Sequence, residues 1–151
     1  MNVRDICTRD VVTVREFDEL TAAAQLMREK HVGYLIVVAP ALEDGSFTPV
    51  GVLTDRDIVI AVVARETDAR TLRVGDLMTR QPVVVNEEDS IGTALHEMRR
   101  IGVRRVPVVG RGGALVGVLS LDDILESLSE ELLDVAGSIR SEVGIEKALR
   151  P

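Results

Sequence analysis

The sequence predicts a mixed α/β (α+β) fold built from two β-α-β-β-α units packed about a pseudo-twofold axis. Three observations carry that expectation. The chain repeats itself, it is rich in valine and poor in aromatics, and strand and helix periodicities recur in the same order in both halves. Laying Val3–Val38 over Val74–Val109 gives fourteen identities in 36 positions, among them Asp5/Asp76, Thr8/Thr79, Met27/Met98 and Val37/Val108. The register then slips, and Gly51–Ile58 (GVLTDRDI) matches Gly117–Ile124 (GVLSLDDI). The first repeat therefore carries extra residues within Ala39–Pro49, where Pro, Gly, Asp and Ser mark a longer surface hairpin loop. An internal repeat in fixed order says more about architecture than any one motif in it.

Each unit opens on a short Val-rich strand, Val11–Val14 or Val83–Val85, because branched side chains pack well on a pleated surface. An acidic stretch follows, Glu16–Glu19 or Glu87–Ser90, and carboxylates suit the positive end of a helix. Leu20, Ala23, Ala24 and Met27, and likewise Ile91, Ala94, Leu95 and Met98, then recur at the spacing of one buried helical face. Two strands come next: Tyr34–Val38 with Val50–Leu53, and Val106–Val109 with Leu115–Leu119. The second hairpin turns on Gly110-Arg111-Gly112-Gly113, which supplies positive φ angles. A second helix is expected to begin at Asp55 or at Leu121. The resulting division is 1–66 for the first repeat, 67–128 for the second, and 129–151 for a helical tail. In that tail region Leu125, Leu128, Leu132, Val135 and Ile139 form a heptad-like stripe, which either covers the module's own core or contacts a second copy. Gly137 and Gly144 are expected to weaken its far end.

Composition narrows the function classes. The formal net charge is −7, and an acidic chain has no generic attraction for nucleic-acid phosphates. A single cysteine, Cys7, excludes an intramolecular disulfide and a cysteine-based metal cage. The N-terminus lacks the apolar stretch of a signal peptide, and the longest apolar run, Ile58–Ala64, is too short to span a bilayer. The chain reads as a cytoplasmic protein with no membrane or nucleic-acid partner. His31 and His96 do not correspond under the repeat and read as surface or helix-end residues. No nucleophile–base pair, P-loop or dinucleotide fingerprint is present, so the expectation is a non-enzyme without metal or cofactor.

The chemistry-bearing pattern is Thr54-x-x-Asp57, matched by Ser120-x-x-Asp123, each at a strand-to-helix junction. A hydroxyl there caps the helix or donates to a phosphate, and the helix start offers free N–H groups and partial positive charge. The spacing alone is equally that of a capping box, and a cap can be re-used by a ligand.

Met78-Thr79, Val103–Val109 (VRRVPVV) and Gly117–Asp123 (GVLSLDD), with Gly51–Asp57 (GVLTDRD) in the first repeat, together resemble the CBS domain family. The resemblance covers about residues 1–128 and implies a tandem CBS pair, a Bateman module. Such pairs commonly bind AMP, ADP, ATP or S-adenosylmethionine between repeats and usually form homodimers. The resemblance implies a stand-alone regulatory protein that binds an adenine nucleotide and signals to a protein partner. The alternatives are an interaction module without ligand, or an S-adenosylmethionine binder. It also implies two candidate pockets, in which the aspartate of each motif holds the ribose hydroxyls. One takes Thr54, Arg56 and Asp57 with Thr79, Val83, Val84, Val103 and Arg104. The other takes Ser120 and Asp123 with Thr8, Val12, Thr13, Val32 and Gly33. The first is favoured because Arg56 and Arg104 could both reach phosphate with their forked donors, whereas Asp122 stands where Arg56 does and Gly33 and Tyr34 replace Arg104 and Arg105. No aromatic is expected to be available for stacking in either pocket.

Overall fold

The computed structural model describes residues 1–150 and consists of two similar halves, each a small sheet with helices against it. The first half contains α1 (Val3–Ile6), β1 (Thr13–Arg15), α2 (Leu20–Lys30), β2 (Tyr34–Val38), β3 (Pro49–Thr54) and α3 (Asp55–Ile58), which continues as a wider π-helical turn over Val59–Ala64. The second contains α4 (Val74–Leu77), β4 (Thr79–Arg80), β5 (Val85–Asn86), α5 (Ile91–Ile101), β6 (Arg105–Val109), β7 (Leu115–Ser120) and α6 (Leu121–Leu149).

The two sheets share one pairing scheme. β1 lies parallel to β2 with Val14 opposite Val37, and β5 lies parallel to β6 with Val85 opposite Val108. β2 and β3 are antiparallel with Tyr34 opposite Thr54, as β6 and β7 are with Arg105 opposite Ser120. Each hairpin shifts register at the equivalent place, between Val37 and Val38 and between Val108 and Val109. The identical irregularity is strong evidence that the two halves are copies of one design, because bulges are specific features of a strand pair. The hairpin turn in the second half uses Gly112 at φ 70° and Gly113 at φ 79°, as its glycines require.

The halves exchange their opening segments. Val3 donates its N–H to Asp89 at 2.9 Å and Arg4 to Glu87 at 2.9 Å, while Val74 donates to Asp18 at 3.0 Å and Gly75 to Glu16 at 2.8 Å. Thr8 bridges to Val118 of β7, and β4 pairs with β3 through Thr79 opposite Val52. Val3 is fully buried in the core built by Val85, Ala94, Met98, Val106, Val108, Leu119 and Ile124. Val74 and Met78 are buried in the other core, with Val14, Leu20, Ala23, Met27, Leu35, Val37 and Leu53. Sequence periodicity gives no sign of this exchange, because a four-residue helix has no period to read.

The helices that define the repeat start where the sequence places them. His31 closes α2 in the left-handed region at φ 55°, and Gly102 closes α5 at φ 70°, both by donating to the methionine four residues earlier. Two expectations are corrected. The opening strands are shorter and later than Val11–Val14 and Val83–Val85, because ladder pairing with β2 and β6 begins only at Thr13 and Val85. The second concerns the tail: α6 runs unbroken from Leu121 through Gly137 and Gly144 to Leu149, and beyond Ser127 it does not cover the module's own core, since Leu132 is 70 % exposed and Ile139 58 %. No helix among the described residues is long and apolar enough to cross a membrane.

Candidate functional site

Thr54 and Ser120 each end a strand in extended conformation and begin a helix, and both build complete capping boxes. Asp57 Oδ2 accepts the Thr54 N–H at 2.9 Å while Thr54 Oγ1 accepts the Asp57 N–H at 3.2 Å. At the equivalent junction Asp123 Oδ2 accepts the Ser120 N–H at 2.8 Å and the Ser120 hydroxyl at 2.6 Å, and Ser120 Oγ accepts the Asp123 N–H at 3.1 Å. The bonds to both aspartates fall on Oδ2, so among the described residues Oδ1 of each is left without a hydrogen bond. A carboxylate held in this way is already oriented and still has acceptor capacity.

The two junctions differ in what surrounds them. Around Ser120 and Asp123 lies a cleft of about 230 Å³ that crosses between the halves. Thr8, Val12, Val32 and Gly33 line it from the first half, as the resemblance implies for this set. Thr13 does not join them; it lies in β1 opposite Ile36 and borders a separate hollow over α2. Gly33 lies close under its neighbour: a Cβ there would come 2.5 Å from Asp55 Oδ2, so the exposed Asp55 side chain would have to turn aside. Its carbonyl also accepts the Asp55 N–H at 3.0 Å, just as Arg104 accepts the Leu121 N–H at 2.9 Å.

The cleft also draws in residues the sequence reading passed over, among them Asp10, His31, Tyr34, Arg105 and Val118. Tyr34 corrects the expectation that no aromatic is available. Tyr34 and Arg105 are equivalent under the repeat, and their meeting in one cleft places both beside the pseudo-twofold axis. Burial pushes the Tyr34 phenol well above the usual tyrosine range, against a smaller opposing effect of the Arg105 charge. The phenol is therefore a hydrogen-bond donor at neutral pH. The repeat alignment makes Tyr34 and Arg105 equivalent, but nothing in either strand alone says that they meet.

The other candidate set is arranged differently. Thr79 in β4 lies opposite Val52, two residues before Thr54, so the exchanged strand does carry it toward Thr54 and Asp57. Val83 and Val103 are half-buried, while Arg56, Val84 and Arg104 are exposed. Arg104 pairs with Asp122 at 3.4 Å, and Arg105 approaches the same carboxylate at 3.9 Å. The aspartate that replaces Arg56 thus engages the arginine assigned to this pocket. Asp57 borders a separate hollow of about 280 Å³ with Asp76 and Leu77.

Comparisons with known proteins agree with this architecture. The family model described as CBS domain matches residues 3–64 and 74–130. The uncharacterized protein YlbB of Bacillus subtilis is 36% identical over 93% of this chain and 90% of its own length. Hypoxic response protein 1 of Mycobacterium tuberculosis is 38% identical over 86% of this chain and 87% of its own. A crystal structure of that protein, with two coordinated zinc ions, matches with a TM-score of 0.68 over 83% of this chain and 98% of that one. Among the described residues of the present chain, no cluster of three or more His, Cys, Asp or Glu is placed to hold a metal. The uncharacterized protein MK0525 of Methanopyrus kandleri is 30% identical over 83% of this chain, which spans only 62% of that protein. The CBS pair of protein MJ0100, crystallised with 5-methylthioadenosine and S-adenosyl-L-methionine, has a TM-score of 0.72 at 21% identity, covering 87% of this chain and 98% of that one. With two family matches laid over the two halves, this chain belongs to the CBS domain family and carries its domains as a tandem pair.

Proposed function

We propose that the chain is a regulatory CBS pair that binds an adenine nucleotide (AMP, ADP or ATP) in the cleft between its halves and passes the bound state to a protein partner. The observation that carries this reading is the cleft beside Asp123, where an oriented carboxylate, a phenol donor and an arginine converge on valine side chains. The Oδ1 atom of Asp123 suits ribose hydroxyls. Val12, Val32 and Val118 offer an apolar bed for adenine, and Arg105 offers a forked cation for phosphate. The cleft is smaller than the roughly 300–1,000 Å³ of common small-molecule pockets. It suits a nucleoside with its phosphates directed outward. The MJ0100 likeness concerns the fold; the adenine nucleotide is what membership in the CBS family implies, and the chain's own residues supply the carboxylate, the apolar bed and the cation for it. Binding across two halves would favour one angle between them, which is how a ligand shifts a conformational equilibrium.

Isothermal titration calorimetry with AMP, ADP, ATP and S-adenosylmethionine tests the reading. Asp123→Ala should weaken nucleotide binding at least tenfold, about 1.4 kcal/mol, while Asp57→Ala should leave it unchanged. The reverse pattern would move the site to the Thr54 junction. No heat with any of the four, at millimolar ligand, would leave the second reading, a protein-interaction module without ligand. The pairing of Arg104 and Arg105 with Asp122 favours that second reading.

A further inference from the structure

Beyond Ser127, whose hydroxyl lies 3.1 Å from Met1 Sδ, helix α6 leaves the body of the protein. Every residue from 128 to 150 is exposed except the half-buried Gly137. At the helical step of ~100° per residue, Leu132, Val135, Ile139 and Val143 fall on one stripe, between 47% and 70% exposed. Gly137 and Gly144 each lower the helix propensity of this water-surrounded stretch by about 1 kcal/mol relative to alanine. The hydroxyls of Ser129 and Ser138 also bond back to Leu125 O at 2.8 Å and Asp134 O at 2.9 Å, which does not strengthen it. The stripe therefore needs a cover, and its edges indicate which. Arg140 and Lys147 flank it on one side, Glu131 and Glu142 on the other.

We propose that the cover is the same helix of a second copy of this chain, packed parallel about a twofold axis that runs along the pair. A twofold contact requires a patch that is complementary to itself. An apolar stripe with one acidic and one basic edge has that property in the parallel sense, since the acidic edge of each helix then lies along the basic edge of the other. Glu142 of one copy meets Lys147 of its partner, five positions further along, as flanking residues do across a coiled-coil seam. Antiparallel packing would set acidic edge against acidic edge. This pairing is independent of what the cleft holds.

Analytical ultracentrifugation of the full chain tests it. Ile139→Glu lies on the exposed stripe and leaves both cores untouched, so it should halve the mass of the assembly and lower its helix content by circular dichroism. Glu142→Lys should weaken association, and Glu142→Lys combined with Lys147→Glu should restore it. In a Cys7→Ser background, Leu132→Cys and Val143→Cys should each cross-link to its own copy on oxidation, whereas an antiparallel pair would join at most one of them. An unchanged mass for Ile139→Glu, or a native chain that is monomeric at high concentration, would overturn the proposal.

Discussion

The two helix junctions share a backbone and differ in their surroundings. Thr54 and Ser120 cap their helices with the same reciprocal backbone bonds, opposite equivalent strand positions, yet the inter-half cleft opens beside Ser120. Three substitutions between repeats distinguish them: Gly33 for Arg104, Tyr34 for Arg105 and Arg56 for Asp122. Gly33 leaves room on the Ser120 side, while Arg104 is engaged by Asp122 on the other. The frame is common to both repeats, and small changes at the strand entrances give the two junctions different surroundings.

The largest expected effects compare the cores. Leu53 and Leu119 are equivalent and both fully buried, so Leu53→Ala and Leu119→Ala should each destabilise by about 2–5 kcal/mol. Because the halves exchange segments, urea melts of both variants should show one transition. Two separated transitions would break the view of a shared unit. A sharper contrast comes from the glycines. A Cβ at Gly117 would sit 2.8 Å from the Thr8 carbonyl, rigid backbone, whereas at Gly51 the nearest atom is the flexible Met78 Sδ at 2.7 Å. Gly117→Ala should cost about 1–3 kcal/mol, and Gly51→Ala less, in the same melts.

Smaller effects concern the caps and one titration. Ser120→Ala should cost roughly 1–2 kcal/mol and Thr54→Ala about 0.5–1 kcal/mol, because only Ser120 also donates its hydroxyl to the aspartate. Equal costs would mean that the extra bond contributes nothing. Tyr34 is the single tyrosine, so an ultraviolet absorbance titration reads it alone. Its phenol should keep its proton well past the ordinary value of about 10. The unfolded chain then releases a proton that the folded chain retains, so stability should fall as pH rises past about 10. Tyr34→Phe should flatten that slope.

The fold was largely legible because the repeat fixed the order of elements and the junction residues marked the helix starts at Asp55 and Leu121. The exchange of opening segments was not, since Val3 and Val74 read as ordinary apolar residues and only long-range pairing reveals which core each enters. The site was legible in part. Ser120, Asp123, Thr8, Val12, Val32 and Gly33 converge, but Tyr34 and Arg105 meet across an axis that no local pattern encodes. The path of the tail was not legible, because a heptad-like stripe fits a helix over its own core as well as one against a second copy, and only the exposure of Leu132 and Ile139 separates the two.

The exchanged segments also bear on the speed of folding. The second core closes only when Val3 reaches Asp89 and Thr8 reaches Val118, contacts that join the start of the chain to residues well past its midpoint. Such non-local contacts raise contact order and slow the search for the native state. The segment from Asn2 to Thr8, though synthesised first, must wait for β7 to emerge before its last bonds can form.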